Sequence, residues 1–178
     1  MRFALEDEVA WPREVVFKAH RDHLPEVAEY VPNVTSVETI SRVEEPGGLV
    51  RLENLWHGAR SDIPMLLRPF IGNDALSWLD RATWDIEKWQ CDWEITLNAL
   101  PEAVTARGKN VFREEDGETL IFLSGELIIH PQHLPAVGGF VPKKASEAIE
   151  RFVVGMVKPN LKHANVAVAR YLEDLEDE

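Results

Sequence analysis

Between Pro142 and Leu175 the apolar residues recur at steps of three and four: Ala145, Ile149, Phe152, Val153, Met156 and Val157. After Pro159 the stripe resumes with Leu161, Ala164, Val168, Tyr171, Leu172 and Leu175, while Lys143, Lys144, Glu147, Glu150, Arg151, Lys158 and Lys162 fall between. This is the spacing of a helix with one apolar face. At 1.5 Å per residue it would run roughly 45–50 Å. A helix of this kind is not stable alone in water, so a broad surface must cover its apolar side. Pro142 suits the first turn, and Gly138–Gly139 interrupts whatever precedes it. Pro159 removes one hydrogen bond to Gly155, so a kink or break is expected near 155–159.

The surface must come from the middle of the chain, where the period changes to two. Phe3, Leu5 and Val9 mark a first strand. Trp11-Pro12 then opens a helix with Val15, Val16 and Ala19 on its apolar side, and Asp22 is placed to cap a second short helix ending before Pro32. Residues 34–45 and 49–57 form a hairpin about Pro46-Gly47-Gly48, with Val50, Leu52, Asn54 and Trp56 on one face of its second strand. Leu76, Trp78 and Trp84 share the next parity, and Cys91, Trp93, Ile95 and Leu97 the one after, with a turn at residues 85–88. A last hairpin turns at Glu115-Asp116-Gly117, and its second strand carries Ile121, Leu123, Leu127 and Ile129 inward and Glu126 outward. Strand, two short helices, six antiparallel strands and a long terminal helix make an α+β domain of about seven strands, curled around that helix.

Composition narrows the classes of function. With 178 residues, 45% hydrophobic and 28% charged, the chain reads as one ordinary globular domain, residues 1–178, whose acidic tail at 173–178 should fray. The formal charge of −12 argues against nucleic acid and against anionic membrane surfaces. No run of 18 apolar residues exists, and the amino terminus has no signal-peptide core, so the cytoplasm is the default expectation. The lone Cys91 excludes an internal disulfide and multi-cysteine metal centres. No phosphate loop, nucleophile elbow or metal-ligand spacing occurs, so neither a metal nor a cofactor is expected.

Phe3 to Val9, the Trp11-Pro12 helix start, the Pro32-Asn33-Val34 entry to the second strand and the helix from Lys143 together resemble the START-like, or SRPBCC, superfamily. That superfamily includes polyketide cyclases, pollen-allergen-type proteins and lipid-transfer domains. The resemblance lies in the order of elements and covers essentially the whole chain. It implies a helix-grip fold: a curved sheet closed by the terminal helix over a deep, mostly apolar cavity. Fold alone does not decide function. The resemblance implies first a binder or carrier of a hydrophobic small molecule or lipid, without a cofactor. The alternative is a cyclase, dehydratase or hydrolase acting in the same cavity, and the third reading is a protein-binding module of co-chaperone type. An inward cluster of acids and histidines would favour the enzyme, and an apolar cavity with one polar anchor the carrier.

The residues expected to line the cavity are Trp56, Trp78, Trp93, Phe152 and Met156. Met65, Leu67 and Phe70, in an apolar loop broken by Pro64 and Pro69, and Phe140, beside Gly138–Gly139, are expected to form a portal or lid. His20 and His23 have the spacing of a shared metal pair but no third ligand, and solvated surface is the expected setting. His57 ends a strand beside a glycine and can stand at a cavity mouth. Asp80, Asp85 and Glu126 interrupt apolar or mixed strands, and Arg81 and Arg107 can anchor an anion or pair at the surface. Cys91, in an aromatic strand, should be buried and inert. No catalytic residue follows from the sequence.

Overall fold

The computed structural model describes residues 1–59, 76–133 and 143–177, and between 143 and 161 mainly the backbone. Strand β1 (Arg2–Val9) leads into helices α1 (Arg13–Asp22) and α2 (Leu24–Val27), the latter continued by a 3-10 turn at Ala28–Tyr30. Six strands follow: β2 (Val34–Glu45), β3 (Leu49–Gly58), β4 (Leu76–Asp85), β5 (Gln90–Leu97), β6 (Val104–Glu115) and β7 (Glu118–Ile129). A 3-10 turn at Pro131–His133 precedes the long helix α3 (Lys143–Asp177).

The strands form one antiparallel sheet in the order β1-β7-β6-β5-β4-β3-β2. Chain neighbours pair with each other, as expected of a meander, and β1 closes the far side against β7. The tight turns use backbone that side chains resist: Gly47 and Gly48 have φ of 83° and 74°, and Asp116 and Gly117 have 52° and 87°. Glu126 points outward, as its parity requires, while Ile121, Leu123 and Leu127 are buried.

Phe17 of α1 is a hub of the core. Its ring meets Trp84, Trp89 and Phe112 edge-on at centroid distances of 5.0, 5.3 and 5.2 Å, the arrangement that sets the positive edge of one ring against the negative face of another. Ala167, Val168 and Leu172 of α3 join this core, whereas Leu175 is exposed and leaves the predicted stripe.

One local expectation is corrected. Asp22 is the last residue of α1 and caps nothing; His23 stands at the N-cap of α2. The Asp22 carboxylate instead holds the guanidinium groups of Arg21 and Arg42, at 2.7 and 2.8 Å, which ties the α1–α2 junction to β2. Helix α3 continues through Pro159 and on to Asp177, so the chain does not break there. Gly155 is exposed, so water can reach the carbonyl left without its usual partner.

Candidate functional site

A cavity of about 140 Å³ lies on the concave side of the sheet, bounded by β3 to β6, by α1, by Leu24 of α2, and by Ala164 and Asn165 of α3. Indole rings dominate its wall. Trp56 and Trp78 are register partners across β3 and β4, stacked at 5.7 Å with 16° between their planes. Trp84 and Trp93 line the same space. Trp93 owes its position to two glycines on the inner face: a Cβ on Gly108 would lie 2.4 Å from its ring, and one on Gly125 would lie 3.0 Å from it. Its indole N–H donates to Asn110 Oδ1 at 2.9 Å, and its ring stacks on Phe3 at 6.4 Å.

Polar groups break this aromatic wall along one line across the sheet. Thr39, Asn54 and Asp80 are register partners on β2, β3 and β4. The Thr39 hydroxyl donates to Asn54 Oδ1 at 2.8 Å, which leaves the Asn54 amide nitrogen to donate to Asp80 Oδ2 at 3.4 Å. Asn54 is only 1% exposed, so this orientation is locked in place. Asp80 is half-buried and borders the cavity. Loss of water raises its carboxyl to about 6, against the opposing pull of the Asn54 amide and the Trp56 indole. The Trp56 N–H leans toward the carboxylate without closing a hydrogen bond of full geometry.

His20 faces the cavity from α1, stacked on Trp84 at 6.5 Å. Burial lowers it to about 4, opposed by the Asn165 amide, so the imidazole is neutral at physiological pH. Its Nε2 and the Trp84 Nε1 are buried without hydrogen-bond partners. Asn165 is held from behind, its amide donating to Asp7 Oδ2 at 3.2 Å. Cys91 also borders the cavity; burial, and then the nearby Asp80, push its thiol well above the ordinary range, which makes it a poor nucleophile.

Of the residues singled out in the sequence, Trp56, Trp78 and Trp93 line this cavity together, and Trp84 joins them. Phe152 and Met156 belong to α3, but their side chains lie outside the described residues, as do Met65, Leu67, Phe70 and Phe140 entirely. His20 is corrected from solvated surface to buried wall: α1 packs against β6 and β7, which buries His20 together with Val16 and Phe17. His23 turns elsewhere and lies 5.7 Å from the Tyr171 ring. His57 is not among the lining residues, because it has the opposite parity to Trp56. Arg81 pairs with Glu53 at 2.9 Å, and Arg107 with Glu126, all on the outer face. Asp85 closes the β4–β5 turn through Lys88 at 2.6 Å. Among the described residues no cluster of potential ligands could hold a metal ion, and no helix is long and apolar enough to cross a membrane.

Sequence reasoning did not place Asp80, Asn54, His20, Asn110 or Asn165 in the site. For Asp80 and Asn54 the signal was present, since each shares the parity of an inward tryptophan two residues away. Asn165 had no comparable signal, because it sits at the edge of the helical stripe.

No protein-family model matches the chain, and no curated protein matches it. Solved structures do. The aromatase/cyclase ZhuI from a Streptomyces species superposes with a TM-score of 0.66 at 17% identity, covering 97% of this chain and 95% of that one. The crystal structure of Ara h 8.0201 superposes with a TM-score of 0.56 at 15% identity, covering 98% of both chains. The shared architecture is the helix-grip fold. A further helix-grip match, TTHA0849 from Thermus thermophilus, has a TM-score of 0.62 at 20% identity and covers 94% of this chain and 97% of that one. In the present helix-grip domain the space between sheet and helix holds the indole-walled cavity.

Proposed function

We propose that this protein binds a small hydrophobic molecule in the cavity between its sheet and its terminal helix. The observation that carries this reading is the wall itself: four tryptophans around an unfilled space of about 140 Å³, with Asp80 as the one carboxyl on it among the described residues. Aromatic walls with a few fixed polar groups are how proteins hold small organic ligands. The volume is about that of a cavity that takes a single benzene ring. It favours a compact ring compound over a two-chain lipid.

A second reading, an acid–base enzyme in the same cavity, is favoured by one specific observation. Asp80, raised to about 6, borders the same space as neutral His20, and a carboxyl poised near neutrality can exchange a proton with a bound substrate. The fold likeness to an aromatase/cyclase is consistent with this. Native mass spectrometry of the protein purified from its own host tests both. A small molecule released on denaturation supports the binder. A bound compound whose mass changes on incubation, and does not change in the Asp80→Asn protein, supports the enzyme. A protein that is always empty, with tryptophan fluorescence unmoved by small aromatic solutes, would end both readings.

A further inference from the structure

We infer that the cavity selects a ligand with a positively charged head, a protonated amine carried on a small ring, and sets that head against Asp80. This deepens the binding reading above and rests on it. The first reason is charge. No lysine or arginine lines the cavity among the described residues, and the only other titratable groups facing it, His20 on α1 and Cys91 on β5, are uncharged at neutral pH. Among the described residues, a carboxylate or phosphate head would therefore meet Asp80 with no counter-charge.

The second reason is the direction of the hydrogen bonds. Because the Thr39 hydroxyl occupies Asn54 Oδ1, the Asn54 amide can present only N–H to Asp80. A fixed donor favours the carboxylate over the neutral acid. Among the described residues Asp80 receives this one long hydrogen bond and no other side chain donates to it at full geometry, and it borders the cavity. A carboxylate accepts at about four sites, so one or more N–H donors from a ligand would complete it. The third reason is the wall. Indole faces carry negative charge density, and the stacked Trp56–Trp78 pair lies two register positions along the strands from the Asn54–Asp80 pair, on the same face. A cation at Asp80 would sit beside those faces, and its ring would occupy the apolar remainder.

Three probes built on one benzyl group separate the possibilities: benzylammonium, benzyl alcohol and phenylacetate, titrated at pH 7.5 and followed by the tryptophan indole N–H signals in NMR. Benzylammonium should bind at least tenfold more tightly than benzyl alcohol, and phenylacetate should bind most weakly. Asp80→Asn should abolish the advantage of benzylammonium over benzyl alcohol, the two probes being compared on the same variant. The native protein gives an independent readout, because benzylammonium affinity should fall as pH drops through 6 and below, where Asp80 takes up its proton, while benzyl alcohol affinity stays flat. Benzyl alcohol binding as tightly as benzylammonium would overturn the inference and leave the cavity reading standing. Silence from all three probes would overturn both.

Discussion

Gly108 and Gly125 decide where Trp93 can lie. They are register partners on the inner faces of β6 and β7, and together they leave a trough one indole wide. Gly108→Ala would put a Cβ 2.3 Å from the Ser124 carbonyl and 2.4 Å from the Trp93 ring, and the carbonyl cannot retreat without disturbing the β6–β7 ladder. The expected result is a loss of about 1–3 kcal/mol in denaturant unfolding, the usual range for overpacking. A shifted tryptophan emission should accompany it as the Trp93–Asn110 hydrogen bond breaks. Gly47→Ala is the contrasting case. It meets no atom within 4 Å, but its φ of 83° is strained for any side chain, so it should cost about 1–2 kcal/mol and leave the emission unchanged. Equal spectra for the two variants would show that Trp93 is not held by the trough. Nothing in the sequence distinguishes Gly108 from a turn glycine, since its role depends on a ring on the paired strand β5.

At the scale of elements, the hairpins were legible because alternation and turn glycines are local signals. Residues 46–48 and 115–117 turn where the sequence places them. The inward face of β7 was legible for the same reason. The short helices were less so: whether α1 shows His20 to water or to the core depends on where the helix sits over the sheet, and no periodicity in ten residues records that. In helix α3 a strong local rule was outweighed, in that no break occurs. Its 35 residues run through Pro159 because helix on both sides holds the backbone in place. Pro159→Ala would restore the hydrogen bond to Gly155. With an interior proline worth about 3 kcal/mol against alanine, the variant should unfold at a measurably higher midpoint. An unchanged midpoint would mean that the helix has already relaxed around the proline.

For the molecule as a whole, Asp80 and His20 oppose each other in their effect on stability, and a pH titration should expose this. His20 falls from 6.5 to about 4 on folding, so its contribution is complete above pH 6.5 and is lost as pH falls toward 4. Asp80 rises from 3.8 to about 6, so its contribution is complete below pH 3.8 and is lost as pH climbs toward 6. Each shift corresponds to about 3 kcal/mol at 1.36 kcal/mol per pKa unit, and the two act over nearly the same window with opposite sign. Between pH 4 and 6 the pair should therefore leave the stability of the native protein almost flat. Carboxylates such as Asp22 and Asp85, lowered on folding, act mainly below that window. Removing one partner should tilt the curve. Asp80→Asn should gain stability from pH 4 to 6.5, because only the penalty for charging His20 remains. His20→Leu should lose stability from pH 4 to 6, because only the penalty for ionising Asp80 remains. Urea unfolding midpoints measured at half-unit steps would read both slopes against the native protein. Parallel curves for all three proteins would show that neither group is buried enough to couple its proton to the fold, and the cavity would then have to be open to water.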